Sequence, residues 1–247
     1  MSIPRIIHQI WYQGEDQMPA KFRAFGDGWR RNHPDWSFHL WNETTMRAFM
    51  AENHAWFLPI YDGYPLNIQR IDAVRYFILH TLGGLYVDSD IESLKPIDTL
   101  VERPSLLLSR TVGYNNAIVG SVPGHRFWET VFEALKSNHR RPKRSPLNFL
   151  VDADALFVAH STGPRLFTDC VRRSGVEADA DTLVCPSWYF EPGTPAEVNG
   201  RITIDPDTSR SYGIHHMSQT WMSPGRRALD AALKPVMALA RRFAAPG

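Results

Sequence analysis

Two aspartates separated by one residue follow a short apolar run in Gly83-Gly84-Leu85-Tyr86-Val87-Asp88-Ser89-Asp90. If this segment continues as an extended strand, Asp88 and Asp90 point to one side and Ser89 to the other. Two like charges this close repel each other, and a bound cation removes the conflict. Oxygen ligands suit Mg²⁺ or Mn²⁺. The pattern therefore predicts a divalent metal site. Two aspartates with this spacing, taken without other evidence, are also typical of turns and helix caps.

The element before these aspartates is predicted to be an amphipathic helix over residues 67–82. Its buried stripe consists of Ile71, Val74, Ile78 and Leu82. The pair Gly83-Gly84 ends the helix. The aspartates therefore lie at the end of a strand that directly follows this helix. Open α/β sheets bind ligands beyond the carboxyl ends of their strands, and Asp88 and Asp90 stand at that position.

The run from Arg70 to Pro96, R-I-D-A-V-R-Y-F-I-L-H-T-L-G-G-L-Y-V-D-S-D-I-E-S-L-K-P, closely resembles glycosyltransferase family 32, the sugar-binding region containing the DXD motif. The resemblance covers most of the chain. Further segments match the family in the expected order: Ile3 to Trp11, His33 to Trp36, Leu40-Trp41, Thr162 to Pro164 and His215 to Trp221. In the last segment the family usually has Ser and an aromatic residue where this chain has Thr220 and Met217.

The resemblance implies a metal-dependent glycosyltransferase with a GT-A-type fold. Such an enzyme moves a sugar from a nucleoside diphosphate sugar, with UDP or GDP as the nucleotide, to a glycan or lipid-linked acceptor. Mn²⁺ or Mg²⁺ would be the cofactor, and retention of the anomeric configuration is expected. Bacterial relatives point to surface polysaccharide synthesis.

The same resemblance assigns roles to particular residues. Asp88, Asp90, Asp72 and Arg75 form the expected catalytic set, and His215 is the expected third metal ligand. Asp72 and Arg75 share a helix face, where the alternative is a surface ion pair of little energetic value. The other residues assigned to the nucleotide-sugar site are Gln9, Ile10, Trp11, Asn67, Tyr86, Ser89, Asn116, Thr220 and Trp221.

Several of these residues have an alternative explanation. Trp11 is expected to stack on the nucleotide base, but most tryptophans belong to the core. Core packing is about as good an explanation for Tyr86. His216 is the alternative to His215 at the metal, and a turn would equally account for Asn115 and Asn116.

Length and composition agree with one α/β domain, and the resemblance implies that it has a central mixed sheet flanked by helices. The 247 residues are 43% hydrophobic, include eight Trp and contain no Gly/Ser/Pro-rich linker. We divide the domain into a nucleotide-sugar and metal part (1–122), an acceptor side with a closing segment (123–224) and a C-terminal helix (225–247). The formal net charge of +1 gives no reason to expect nucleic acid as a partner.

Hydrophobic periodicity and turn signals predict the elements. Strands are expected over 5–11, 37–41, 84–90, 105–109 and 117–121, and helices over 20–32, 43–52, 67–82, 124–137 and 164–173. Residues 183–221 are expected to be irregular with short strands. This alternation predicts a parallel or mixed sheet with helices on both faces.

The remaining features concern the compartment. Cys170 and Cys185 lack metal-ligand spacing and are expected to be reduced core thiols. No signal peptide or membrane span is found, so a cytoplasmic location is expected.

The basic run 139–144 is either a solvated loop or a site for an acidic acceptor. Residues 226–245 either dock on the domain or lie as a basic helix on the inner face of the membrane.

Two other functions remain open from the residues alone. A metal-dependent nucleotide-sugar hydrolase or phosphoesterase would use Asp88 and Asp90 to activate water, but it usually needs further His and Asp ligands. A non-catalytic sugar-nucleotide or glycan-binding module would keep Trp11 and tolerate loss of the carboxylates. The presence of both aspartates counts against that module.

Overall fold

A computed structural model describes residues 2–140, 153–193, 196–198, 201–203 and 207–218. Met1–His216 is one compact unit, and Met217–Gly247 is a second, of which only residues 217 and 218 are described. The predicted site residues Thr220 and Trp221, the C-terminal segment 226–245 and residues 141–144 of the basic run lie outside the described residues. Within the described part, no helix is long and apolar enough to cross a bilayer.

The described elements alternate between strands and helices in the first half of the chain. The strands are β1 (Ile6–Ile10), β2 (Ser37–Trp41), β3 (Gly84–Val87), β4 (Ile91–Ser93), β5 (Leu106–Arg110), β6 (Tyr114–Ser121), β7 (Thr182–Cys185), β8 (Ala196–Val198), β9 (Arg201–Thr203) and β10 (Gly213–His215). The helices are α1 (Ala20–Asn32), α2 (Glu43–Asn53), α3 (Leu58–Gly63), α4 (Asn67–Leu82), α5 (Asp98–Val101), α6 (Phe127–Asn138), α7 (Ala153–Ser161) and α8 (Pro164–Ser174).

Six strands form a mixed sheet in the order β2-β1-β3-β6-β5-β7. Strand β1 pairs in parallel with β2 and β3, whereas β6 runs antiparallel to both β3 and β5. Two small antiparallel pairs, β10 with β4 and β8 with β9, complete the described strands. The prediction of a mixed sheet is confirmed.

Local sequence explains how α2 begins and how α4 ends. Asn42 caps α2 through a reciprocal pair of hydrogen bonds with Thr45. Gly83 and Gly84 have φ angles of 67° and 92°, which other residues rarely adopt. A Cβ atom on Gly84 would lie 2.6 Å from the carbonyl oxygen of Ile6, so glycine also lets β3 approach β1.

The sheet separates two hydrophobic cores, as strand alternation requires. On one face, α4 and α6 pack through stacked rings of Phe77 and Phe132, 4.2 Å between centroids. On the other face, Trp29 of α1 is fully buried with residues of β1, β3 and β5. Cys170 and Cys185 are buried and unpaired, as predicted.

One predicted boundary was wrong in a way that affects the site. Strand β6 begins at Tyr114, so Asn115 and Asn116 lie within the sheet and not in a turn. The amide oxygen of Asn115 accepts the backbone N–H of Ala117 at 2.8 Å. This local contact and pairing with β5 outweigh the turn preference of asparagine.

Candidate functional site

The aspartate pair lies in a tight turn, which corrects the prediction of an extended strand. Strand β3 ends at Val87, and the backbone N–H of Ile91 donates to the carbonyl oxygen of Asp88 at 3.0 Å. Strand β4 then begins at Ile91. The carboxylates of Asp88 and Asp90 therefore come together through a turn, and not through strand alternation.

The turn is fixed to the carboxyl edge of the sheet. The buried hydroxyl of Ser89 donates to the carbonyl oxygen of Ile10 at 2.8 Å, which joins the ends of parallel strands β1 and β3. On the other side of the turn, the indole N–H of Trp29 donates to the carbonyl oxygen of Ile91 at 2.8 Å. The aspartates thus occupy the edge where open α/β sheets bind ligands.

Strand β10 brings a histidine to this turn. His215 pairs with Ile91 across β10 and β4, and the backbone N–H of His216 donates to the carbonyl oxygen of Asp90 at 3.0 Å. One ligand atom each from Asp88, Asp90 and His215 lies within 4.8 Å of the others. This cluster has the mixed oxygen and nitrogen donors of a divalent cation site.

The second histidine of the pair is directed elsewhere. The Nε2 atom of His216 lies 3.0 Å from Oε2 of Glu92, and its ring stacks on Phe25 with centroids 4.7 Å apart. Of the two candidates, the structure places His215 with the aspartates.

The electrostatic surroundings of His215 are dominated by carboxylates. Its Nε2 lies 3.3 Å from Oδ1 of Asp90, and its Nδ1 lies 3.2 Å from Oε1 of Glu191. Burial acts to lower the pKa of His215, but the contacts with Asp90 and Glu191 outweigh it and raise the pKa to about 10. Without a cation the cluster therefore holds a proton on His215, and a metal ion would replace that proton.

A buried arginine stands behind the first aspartate. Arg75 is 2% exposed, and its guanidinium contacts Asp72 at 2.7 Å and Asp88 at 3.2 Å. It also lies over the ring of Tyr86, whose hydroxyl donates to Oδ1 of Asp88 at 2.7 Å. Burial raises the pKa of Asp88, while Arg75 opposes the shift and Asp90 adds to it. The alternative of a surface ion pair for Asp72 and Arg75 is therefore wrong, because the two side chains form a buried pair.

Asp72 is the centre of a buried polar network that connects α4 with β6 and the start of α8. Asn116 Nδ2 and Thr162 Oγ1 each donate to a carboxylate oxygen of Asp72 at 3.3 Å. Asn116 Nδ2 also lies 2.9 Å from the hydroxyl of Tyr76, which donates to the carbonyl oxygen of Thr162. Burial raises the pKa of Asp72 to about 6, although Arg75 lowers it.

The residues assigned to nucleotide-sugar contact differ widely in exposure. Asn67 is exposed and accepts a hydrogen bond from Arg70, and Trp11 is half-buried against Phe22. Five others are buried: Gln9, Ile10, Tyr86, Ser89 and Asn116. In this structure Tyr86 and Gln9 have essentially no exposed surface to offer a ligand, because Arg75 covers Tyr86 and α1 covers Gln9.

Sequence reasoning missed two residues at this site. Tyr76 lies four residues after Asp72 on α4, so helical spacing could have found it. Glu191 has no comparable signal, since it reaches His215 from 24 residues away through an irregular segment.

Comparisons with known proteins identify a glycosyltransferase sugar-binding region in this chain. Residues 19–107 match the family model described as "Glycosyltransferase sugar-binding region containing DXD motif". Inositol phosphoceramide mannosyltransferase 1 of Schizosaccharomyces pombe is 38% identical over 173 residues, 68% of this chain and 53% of that protein. Mannosyl phosphorylinositol ceramide synthase SUR1 of Saccharomyces cerevisiae is 36% identical over 135 residues, 54% of this chain and 35% of that protein. The chain thus spans about half the length of the first relative and less of the second.

Solved structures with low sequence identity share the fold. The UDP-bound glycosyltransferase domain from the YGT toxin superimposes with a TM-score of 0.55 at 9% identity, covering 74% of this chain and 79% of that one. The PaToxG glycosyltransferase gives a TM-score of 0.52 at 15% identity and covers 70% of both chains. The fold is therefore of the GT-A type, and residues 19–107 match the glycosyltransferase sugar-binding region with a DXD motif.

Proposed function

We propose that this glycosyltransferase moves a sugar from a nucleoside diphosphate sugar to a hydroxyl of a glycan or lipid-linked acceptor, with a divalent cation held by Asp88, Asp90 and His215. The observation that carries the proposal is the cluster itself, in which two carboxylates and one imidazole converge at the carboxyl edge of the sheet.

The donor set of the cluster fits Mn²⁺ or Mg²⁺. Carboxylate oxygens suit both ions, and an imidazole nitrogen is better matched to Mn²⁺. When bound, such a cation neutralises the charge that develops on the leaving diphosphate. The arrangement of the protein groups is consistent with this role, because Arg75 and Tyr86 hold the carboxylate of Asp88 from behind.

The protein's own groups would position the donor. Asp72 and Arg75 form a fixed, buried pair at the base of the site, and Asn116 and Thr162 hold Asp72 in place. A guanidinium fork suits contacts with sugar hydroxyls and phosphate. On donor binding, Asp72 and Arg75 would exchange the hydrogen bonds between them for hydrogen bonds with the sugar hydroxyls and phosphate.

We put mannose first among the donor sugars. The yeast relatives named above are an inositol phosphoceramide mannosyltransferase and a mannosyl phosphorylinositol ceramide synthase. A sphingolipid or another lipid-linked glycan is the corresponding acceptor class. The role in surface polysaccharide synthesis remains a further candidate.

We also propose retention of configuration through front-face displacement, in which the leaving phosphate helps to deprotonate the acceptor hydroxyl. Double displacement needs a carboxylate free to attack the anomeric carbon. The buried carboxylates beside the cluster are already engaged, Asp72 with Arg75 and Glu191 with Asn115 and His215. NMR analysis of the product anomer tests the proposal, and an inverted product would discard it.

The activity is tested by donor cleavage without acceptor. The full chain is incubated with Mn²⁺ and a panel of GDP-mannose, UDP-glucose, UDP-galactose and UDP-N-acetylhexosamine, and release of nucleoside diphosphate is measured. We expect slow release from one donor, its loss on chelation with EDTA, and a decrease of at least about 100-fold in Asp90→Asn.

A matched control is Asp27→Asn, which removes an exposed carboxylate paired with Arg30 on α1. It should keep the wild-type rate. Equal release by Asp90→Asn and wild type would contradict the proposal. Release that persists undiminished when acceptors are added, with no transfer product, would favour a hydrolase instead.

A further inference from the structure

One buried carboxylate beside the metal cluster has no role in the function proposed above. The side chain of Glu191 is 3% exposed, and its Oε1 lies 3.2 Å from Nδ1 of His215. The amide N–H of Asn115 donates to the same oxygen. Burial of a carboxylate is unfavourable unless charged or hydrogen-bonding partners stabilise it. The contacts that Glu191 makes therefore indicate what it does.

The backbone holds Glu191 and His215 at a fixed separation. Segment 187–191 lies alongside residues 211–215, and the backbone N–H of His215 donates to the carbonyl oxygen of Phe190 at 2.8 Å. The hydroxyl of Ser211 donates to the carbonyl oxygen of Trp188 at 2.6 Å. Phe190 itself is fully buried in the core around Trp29. Contact between the two side chains is therefore a fixed feature of the fold.

The two ring nitrogens of His215 face different groups. Nδ1 faces Glu191, with the amide nitrogen of Asn115 at 3.5 Å, and Nε2 faces Asp90. The amide of Asn115 is oriented by Ala117, whose N–H donates to its oxygen. A carboxylate at Nδ1 favours the tautomer that carries its proton there, and this leaves the Nε2 lone pair directed toward the aspartates.

We propose that Glu191 is a positioning residue of the metal site: its carboxylate accepts the Nδ1–H of His215 and so presents Nε2 to the cation bound by Asp88 and Asp90. This inference rests on the metal site of the proposed function. Carboxylates that orient a ligating histidine typically contribute 10-fold to 100-fold to metal affinity.

The test is the Mn²⁺ affinity of the full chain, measured by electron paramagnetic resonance of free Mn²⁺ in a titration. Glu191→Ala should bind Mn²⁺ about 10-fold to 100-fold more weakly than wild type. Glu191→Gln keeps an oxygen that can accept the Nδ1–H, so it should recover part of the loss.

The matched control is Glu92→Gln. Glu92 also pairs with a histidine of this segment, His216, but that pair lies outside the cluster. We expect its Mn²⁺ affinity to equal that of wild type. Equal affinity in Glu191→Ala, Glu191→Gln and wild type would overturn the proposal.

A measurement on the wild-type chain covers the case in which the variants fold poorly. In ¹⁵N NMR spectra of the Mg²⁺-loaded protein, His215 should be protonated at Nδ1 and not at Nε2. Protonation at Nε2 would overturn the role of Glu191. Failure of the metal site itself is distinguishable, because then wild type would bind no Mn²⁺ and Asp90→Asn would not differ from it.

Discussion

The metal cluster joins two regions of the protein that are built differently. On the α4 side, Asp88 is held by Arg75 and Tyr86, which belong to a buried network within the main helix and sheet core. On the β10 side, His215 is held by short segments that pair with each other and with β4. The residues of the α4 side belong to the buried core. The residues of the β10 side lie on short strands and loops beyond the carboxyl edge of the sheet.

This difference separates stability from metal binding. Removal of a charge on the α4 side leaves a buried partner unpaired, which destabilises the fold. A change on the β10 side alters the ligand geometry while the main core is retained. Variants on the two sides should therefore affect different measurements.

The largest expected effect on stability is that of Arg75→Met. Loss of the guanidinium leaves the buried carboxylate of Asp72 without its cation, which should lower the free energy of unfolding by about 3–5 kcal/mol. Urea unfolding followed by circular dichroism measures it. The control is Arg47→Met, whose exposed pair with Asp62 should contribute far less stability than the buried pair. Equal stability of the two variants would remove the distinction between the two sides.

Acid should decrease the stability that His8 contributes. His8 lies on β1 and contacts the end of α4. This fully buried ring accepts the indole N–H of Trp41 and donates to the carbonyl oxygen of Gly83, at the end of α4. Burial lowers the pKa of His8 to about 4, although the contact with Gly83 opposes the shift. At this position the unfolded chain therefore binds more protons between pH 6.5 and 4, so the contribution of His8 to stability falls as the pH falls through that range, by about 3 kcal/mol at pH 4.

This pH effect is measured as the unfolding free energy at several pH values. His8→Gln should show a flatter profile than wild type in that range. His160→Gln, which changes an exposed histidine of α7 away from His8, should keep the wild-type profile. A wild-type slope in His8→Gln would contradict the assignment.

Tyr86→Phe should have a smaller effect. It removes the hydroxyl that donates to Asp88 at 2.7 Å, and a hydrogen bond to a carboxylate contributes about 1.5–3 kcal/mol. Tyr64→Phe is the matched control, because the buried hydroxyl of Tyr64 makes no hydrogen bond with the described residues. If thermal unfolding shows the same loss in both variants, the hydroxyl of Tyr86 has no special role.

The β10 side is tested by a pair of neighbouring histidines. His215→Ala should weaken Mn²⁺ binding at least about 10-fold, since it removes one ligand of the cluster. His216→Ala should leave Mn²⁺ affinity unchanged and shift the unfolding free energy by less than about 0.5 kcal/mol, as is usual for surface substitutions. The reverse order of affinities would mean that His216 is the ligand.

The α4 side could be predicted from the sequence because its signals are local. The period of the apolar residues and the Gly83-Gly84 stop gave the bounds of α4 correctly, and helical spacing placed Asp72 beside Arg75. The turn at Asp88 was not foreseen, because a strand and a turn share the same local pattern.

The β10 side could be predicted only in part. His215 was identified through the resemblance to the family, but its partner Glu191 was not, because the contact joins two short irregular segments distant in sequence. Packing of Phe190 and pairing of β10 with β4 bring them together, and neither has a periodic signal. The roles of Thr220 and Trp221 stay predictions.

The most direct test of the account is the position of Mn²⁺ in crystals of the protein grown with Mn²⁺ and GDP or UDP, located by anomalous diffraction. The account predicts one Mn²⁺ peak between the carboxylates of Asp88 and Asp90 and Nε2 of His215, in contact with the diphosphate. Nucleotide bound at the carboxyl edge of the sheet with no Mn²⁺ at these three residues would contradict it.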